Sequence, residues 1–330
     1  MQHQQKQQKA LDDLLRLAGF NAADIRDVHR GTLVKTVTES TSDRELAVKF
    51  AFLVKAPVNQ LQEYFMTTTK TSDKDPSVMQ SRVIQETGTL DDFADLVLEP
   101  NGTAMTKDYL NAARGASLNL STTEIDSCRA LQIGQGKGQK QEQECVVQHV
   151  RGILLNRYHA YREHGLNGIQ PYARSGGKDY NSGEELRHKT GLAELLQKKS
   201  PSFHKHLLEY PHFRPDGLEE CYSWVNYKID DKPTVVLIHR MSLCEGVVYV
   251  FSERHLYVSW SHNSVPGISG AFPMENITVV AYVLRTSTDQ VAGLGGATKR
   301  AIGARMMTSK VAENFERARN IFVGKAHLDQ

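Results

Sequence analysis

The chain has 330 residues, of which 40% are hydrophobic and 24% are charged, so it can bury a sizeable core as one large domain or two smaller ones. Forty basic residues against 38 acidic ones leave a formal net charge of +2, which argues against duplex DNA or RNA as a partner. No apolar stretch approaches the roughly 20 residues of a membrane-spanning helix, so we expect a soluble chain without a transmembrane segment.

Two short helices are predicted in residues 1–31. Leucines recur at helical spacing between Lys9 and Phe20, and Asn21 is a good N-cap for a second helix that ends near Gly31. Residues 1–9 are rich in glutamine and lack the apolar core of a signal peptide. We therefore expect a cytoplasmic protein from the sequence as it stands, and a periplasmic or secreted one if a signal peptide has been removed.

Residues 32–133 begin with a predicted β-hairpin. Its first strand is the β-branched run Leu33–Val37, and Ser40–Asp43 is typical of a turn. The apolar residues that follow alternate, as they do in a strand with one buried face: Leu46, Val48, Phe50, Phe52 and Val54. Pro57 closes this strand, and the apolar spacing in Val58–Thr68 predicts a helix.

The rest of this region has a weaker pattern. It predicts a helical piece at Lys107–Ala113. Short strands are predicted at Val78–Ile84, Phe93–Leu98 and Ala116–Leu120.

A flexible connector and a helical insertion are predicted in residues 134–215. Gly134–Gln143 consists almost entirely of Gly, Gln and Lys, a composition typical of a linker. One apolar stripe then runs through Gln143–His164, which predicts a long helix. Further helices are predicted around Gly183–Lys198 and Ser202–Tyr210.

Residues 216–330 are predicted to form an antiparallel strand meander closed by one long helix. Five segments are rich in β-forming residues: Cys221–Ile229, Thr234–Met241, Gly246–Phe251, His255–Ser261 and Ile277–Leu284. Asp230-Asp231 and Ser252-Glu253-Arg254 are interpreted as hairpin turns. Apolar side chains recur in steps of three and four along Gly295–Phe322, so this helix should lay one face on the sheet.

The chain contains no strong catalytic or metal motif. Gly134–Gly138 is not followed by the Gly-Lys-Ser/Thr of a phosphate loop, and His159 and Glu163 share a helix face without a third ligand. The four cysteines have no zinc or redox spacing, and a Cys221–Cys244 bridge is the alternative to free thiols. We therefore predict neither a metal nor a cofactor.

His239 and His255 are the candidate catalytic residues if the chain is an enzyme. Both fall in predicted strands, where alternate side chains point inward, and an imidazole can act as an acid or a base near neutral pH. A core histidine bonded to a Tyr or Ser hydroxyl is the other interpretation of His239. The aromatic residues of the same strands either line an apolar pocket or fill an ordinary core.

The order of elements resembles the START-like superfamily, also called SRPBCC or helix-grip proteins. The resemblance rests on VKFAFLVKAPVNQLQEYF (Val48–Phe65) and on ITVVAYVLRTSTDQ (Ile277–Gln290), which is followed by the helix Gly295–Phe322. It covers about half of the chain, since the helices of Gln143–Tyr210 would be an insertion. It implies an α+β fold in which a curved antiparallel sheet grips a long C-terminal helix around a hydrophobic ligand.

The leading hypothesis is binding or carriage of a hydrophobic small molecule or lipid between the sheet and the C-terminal helix. We place nine residues near that pocket: Trp224, Tyr227, His239, Tyr249, Tyr257, Trp260, Tyr282, Ala304 and Met307. Neighbouring positions on a strand cannot all face inward, so only part of this set can line it. The alternatives are an enzyme acting on an apolar substrate through a histidine acid–base group, and an interaction protein that docks an unidentified partner through residues 143–210.

Overall fold

The structure is a computed structural model that describes residues 2–67, 75–98, 104–131, 139–229, 232–245, 248–260, 262–274, 277–288 and 295–328. Within these ranges, helices pack on both faces of one large antiparallel sheet. The turn predicted at Asp230-Asp231 and residues 134–138 of the predicted connector lie outside the described residues.

The strands account for both ends of the chain. They are Val34–Val37 (β1), Glu45–Val54 (β2), Val78–Ile84 (β3), Tyr172–Ala173 (β4), Asp179–Tyr180 (β5), Glu219–Ile229 (β6), Lys232–Glu245 (β7), Val248–Val258 (β8), His262–Met274 (β9) and Ile277–Thr288 (β10). The sheet has the order β1-β2-β10-β9-β8-β7-β6-β3, and all its neighbouring strands are antiparallel. Because β10 pairs with β2, the C-terminal meander continues the N-terminal hairpin.

The described helices start and stop at residues that explain their boundaries. They are Gln2–Leu17 (α1), Ala22–His29 (α2), Val58–Thr67 (α3), Ala104–Leu110 (α4), Thr122–Leu131 (α5), Gln139–His164 (α6), Ser182–Gly191 (α7), Glu194–Lys199 (α8), Pro201–Glu209 (α9) and Gly296–Leu328 (α10). Asn21 caps α2 by accepting hydrogen bonds from the backbone N–H groups of Ala23 and Asp24. Asn181 caps α7 in the same way, through the N–H of Glu184.

The predicted α+β class is confirmed. The antiparallel meander is present, and the long C-terminal helix packs against the sheet. The strand and helix predicted on either side of Pro57 form as β2 and α3. Residues 139–143, predicted as the end of a connector, belong instead to α6.

The predicted turn Ser252-Glu253-Arg254 is wrong. These three residues lie inside the continuous strand β8, where they pair with Met241, Arg240 and His239 of β7. A polar triplet resembles a turn when it is read locally, but here Glu253 accepts a hydrogen bond from Arg240 on one face of the sheet, and Arg254 donates to Leu207 on the other. The two strands predicted on either side of the triplet are therefore one.

Two other local predictions are wrong, because tertiary packing overrides the local sequence pattern. Phe93–Leu98 contains the end of a short 3-10 helix rather than a strand, and Ala116–Leu120 forms only an isolated bridge between Leu118 and Trp260. Neither α5 nor β9 is predicted from the sequence. The sequence of β9, HNSVPGISGAFPM, is rich in Gly, Ser and Pro, which usually indicate turns.

One face of the sheet is apolar where α10 packs on it. The alternating residues of β2 point to this side, as their period predicts: Leu46, Val48, Phe50, Phe52 and Val54. The ring of Phe315 from α10 lies among Phe50, Phe52 and Tyr282, with centroid distances of 5.3, 4.8 and 5.0 Å. We call this side of the sheet the α10 face.

The opposite face is covered by α1, α2 and α4–α9, which we call the helical layer. Tyr158 and Tyr161 of α6 are buried against Tyr222 of β6. Leucines of α1 and α9 share a second cluster with residues of β2, β7 and β10. The predicted insertion is therefore part of the core that covers the sheet.

Replacing Phe315 by Ala should destabilise the protein by about 3–5 kcal/mol, because a buried aromatic ring is lost and a cavity is left. Ile302→Ala on the same helix is the control, since Ile302 is 57% exposed. Urea unfolding followed by circular dichroism measures both variants. Equal stabilities would contradict the docking of α10 on β2 and β10.

Candidate functional site

A cavity of about 250 Å³ lies between the sheet and the helical layer. It is bordered by the end of α1, by α7 and α8, and by residues of β2, β8 and β10, and it opens to solvent beside the exposed Leu192 and Glu194. Its apolar lining consists of Leu17, Leu186, Leu192, Leu195, Leu196 and Val283. The strands contribute the charged side chains Lys49, Arg254 and Arg285, and the helices contribute Lys189 and Glu194, so apolar and charged groups share the lining.

The end of α1 at the cavity depends on Gly19. Its φ of 83° is left-handed, a conformation in which glycine avoids the steric cost that a Cβ brings. The Gly19 carbonyl accepts a hydrogen bond from Lys49 Nζ, and a Cβ at this position would lie 2.9 Å from that nitrogen. Gly19 therefore lets the chain turn close to the Lys49 ammonium group of β2.

Two of the cations at the cavity share one buried carboxylate. Glu45 accepts a hydrogen bond from Arg285 Nη1 at 3.0 Å and lies 3.4 Å from Lys189 Nζ. Burial acts to raise the pKa of Glu45, but the backbone N–H of Thr41 and the two cations outweigh it and hold this pKa below its ordinary value. Lys189 and Arg285 thus share a carboxylate that is itself fully buried, and Lys189 also lies 3.5 Å from Glu185.

Arg254 is held differently. Its side chain is among the largest that are fully buried, and Nη2 donates to the carbonyl of Leu207 and, at 3.3 Å, to Thr190 Oγ1. Both acceptors are neutral. Nη1 is buried and has no hydrogen-bond partner.

His239 occupies a buried aromatic cluster next to Arg254. Its Nδ1 is 3.0 Å from the Tyr161 hydroxyl, its Nε2 is 3.1 Å from Glu220 Oε2, and its ring stacks on Tyr222 at 4.2 Å. Burial lowers the pKa of His239 to about 4, and the hydrogen bond to Glu220 offsets only part of this effect. The imidazole is therefore neutral, and this is the tyrosine-bonded core histidine that was one of the two interpretations.

His255 lies on the other side of the sheet. Its Nε2 is 2.9 Å from Glu253 Oε1, and Glu253 Oε2 accepts a hydrogen bond from Arg240 Nε at 2.9 Å. His255 is paired with Ile238, the neighbour of His239 on β7. The two candidate catalytic histidines thus occupy opposite faces and cannot act on one substrate together.

The structure divides the predicted pocket residues into groups. Three of them join the core beneath the helical layer, where His239 also lies: Trp224, Tyr257 and Trp260. Three others lie in the cluster between the sheet and α10, where Tyr282 comes from β10 and the other two from α10 itself: Tyr282, Ala304 and Met307. Tyr227 belongs to a small separate cluster with Val225 and Ile238, and Tyr249 is half-buried opposite Cys244.

The charged residues of the cavity are missed by the sequence reasoning. Arg254 falls in the triplet interpreted as a turn, although Val248, Val250, Ser252 and Arg254 continue one alternating face of β8. Lys49 likewise lies at a β2 position between the residues that carry the apolar pattern. The available signal is this period of two, which predicts the face a side chain takes but not the contacts it makes there.

The described residues contain neither a disulfide nor a cluster of metal-ligating side chains at this site. All four cysteines are free thiols, and the register places Cys221 opposite Arg240 but Cys244 opposite Tyr249. Among the residues that the structure describes, no group of three or more His, Cys, Asp or Glu side chains is arranged to hold a metal ion. None of the described helices has the length and apolar character required to cross a bilayer.

Comparison of this chain with protein-family models, with curated proteins and with solved structures gives no significant match.

His239→Gln should reduce the acid sensitivity of the fold. The pKa of His239 is about 4 in the folded protein against an ordinary 6.5, so the unfolded chain binds more protons between these values. The contribution of the neutral His239 imidazole to the free energy of unfolding is fully present above pH 6.5 and is lost as the pH falls towards 4. At about 1.4 kcal/mol per pKa unit, wild type should lose about 2 kcal/mol between about pH 7.5 and pH 5 that the variant keeps.

Urea unfolding at the two pH values measures this difference. His206, which is also buried with a lowered pKa, titrates in both proteins and cancels in the comparison. His164→Gln is the control, because 59% of the His164 side chain is exposed. An unchanged pH dependence in His239→Gln would show that the imidazole is already charged in the folded protein.

Proposed function

We propose that this chain binds a small amphipathic molecule in the cavity between the sheet and the helical layer. The observation that carries the proposal is the 250 Å³ cavity, whose lining combines leucines of the helices with charged side chains, three of them on the strands. A cavity of about 150 Å³ accepts benzene, so this one suits a ligand of about ten non-hydrogen atoms. Removal of apolar surface from water supplies affinity, and the polar groups orient the ligand.

The sheet order supports a START-like relationship, which we retain as part of the proposal. Strand β2 from the front of the chain pairs with the last strand β10, and α10 packs on that pair. This is the arrangement that the resemblance implies. It also implies a ligand beneath α10, whereas the cavity described above lies on the other face, so a hydrophobic or lipid ligand under α10 stays a prediction.

Two observations favour binding over the alternatives. For catalysis, His239 has both ring nitrogens in hydrogen bonds and does not line the cavity, and His255 lies on the far side of the sheet. For partner docking, residues 143–210 should present a contiguous exposed apolar patch. Leu192 is the one exposed large hydrophobic side chain in the described part of that stretch, and it lines the cavity.

Ala193→Phe should abolish binding, because the new ring would occupy the cavity that Ala193 lines. Straight-chain acids and alcohols of about six to ten carbons match the volume of the cavity and serve as probes in calorimetric titrations. Ala301→Phe on the exposed side of α10 is the matched control and should bind as wild type does. Extraction of the purified proteins and mass spectrometry should find a small amphipathic species in wild type and at least about tenfold less of it in Ala193→Phe.

The proposal fails if wild type binds none of these probes and releases no such species. It also fails if Ala193→Phe binds them as well as wild type, since binding would then occur elsewhere.

A further inference from the structure

The cavity has more positive than negative charge. Of the four cations that line it, Arg285 pairs with Glu45, and Lys189 lies 3.4 Å from Glu45 and 3.5 Å from Glu185. Arg254 and Lys49 have no ion-pair partner among the described carboxylates. The one carboxylate in the lining, Glu194, is exposed and pairs with Lys198. Two positive charges therefore remain where the strands meet the cavity.

The environment of Arg254 makes its missing partner costly. A buried charge is tolerated when a countercharge and hydrogen bonds replace the water it has lost. The Leu207 carbonyl lies in the last turn of α9, where the helix dipole is negative, and this provides part of the replacement. It occupies Nη2 alone, so Nη1 keeps two N–H groups without an acceptor.

Lys49 is the second cation of this kind. Its ammonium group donates to the Gly19 carbonyl and lies 4.9 Å from the centre of the Phe20 ring. Burial lowers the pKa of Lys49, and the charge of Asp24 offsets only part of that effect. An anion in the cavity would favour the charged form.

We propose that the ligand is a carboxylic acid whose carboxylate is attracted by the guanidinium of Arg254 and the ammonium of Lys49, while its hydrocarbon part contacts Leu186, Leu192 and Leu196. This inference rests on the proposed function and specifies its ligand class. A carboxylate suits this environment because it brings one negative charge close to a buried guanidinium that has no ion-pair partner among the described carboxylates. A phosphate dianion has more acceptor oxygens than the two N–H groups of Arg254 Nη1 would satisfy.

The test compares octanoate with octanol by calorimetry on the full chain at about pH 7.5. The two probes share a hydrocarbon chain and differ in charge, so their affinity ratio isolates the acidic group. Octanoate should bind wild type at least about tenfold more tightly. The preference should disappear in Arg254→Gln and decrease in Lys49→Met. It should be unchanged in Lys299→Met, which removes an exposed cation of α10.

Each outcome has a separate meaning. If wild type binds octanol as tightly as octanoate and Ala193→Phe abolishes both, the cavity binds ligands but the carboxylate assignment is overturned. If wild type binds neither probe, the proposed function falls with it. If inorganic phosphate displaces octanoate at lower concentration than acetate does, the acidic group is a phosphate and the assignment is wrong. The wild-type ratio decides the question even if Arg254→Gln does not fold.

Discussion

The cost of burying charge is the constraint on which the packing of this protein depends. Between the sheet and the helical layer, side chains that would normally be hydrated are removed from water, and each needs a partner that replaces the lost water. Lys189 of α7 reaches Glu45 of β2, and Tyr161 of α6 reaches His239 of β7. Within the helical layer, Arg157 Nε donates to Glu124 at 2.7 Å while its guanidinium lies over the Tyr257 ring at 4.4 Å. Removing one member of such a pair leaves the other uncompensated, so these contacts specify how the layers align.

The two faces of the same strands are stabilised by different interactions. In β2 the residues that face α10 are all apolar, and their packing around Phe315 requires only matching volumes. The alternate positions include Glu45 and Lys49, whose positions relative to other elements depend on charge. Both faces of the sheet carry apolar clusters, but on the helical side buried charge pairs also join the strands to the helices that cover them. The cavity lies on this side, next to those charge pairs.

This difference also determines how much could be predicted from sequence. The α10 face was predictable because a period of two in Leu46–Val54 and steps of three and four in the last helix report burial directly. The helical layer was predictable only as separate helices, because the pairs Lys189–Glu45 and Tyr161–His239 join residues far apart in the chain. Arg254 shows the limit most clearly. Its polarity indicated a turn, and its buried position in β8 follows from partners on α7 and α9 that no local pattern identifies. The division of the pocket residues between two faces has the same origin.

The helical insertion cannot be regarded as an addition to a self-sufficient sheet. Without α7, Glu45 would lose Lys189, and without α6, His239 would lose the Tyr161 hydroxyl. Arg254 would lose both of its acceptors, since Thr190 and Leu207 belong to α7 and α9. A sheet without these helices would lose the ion pairs and hydrogen bonds that stabilise the charged and polar side chains on this face. The sequence from Gln139 to Glu209 and the strands around it therefore form one packed unit. The cavity belongs to that unit because the α1, α7 and α8 residues that border it are anchored through the same buried contacts that hold the layers together.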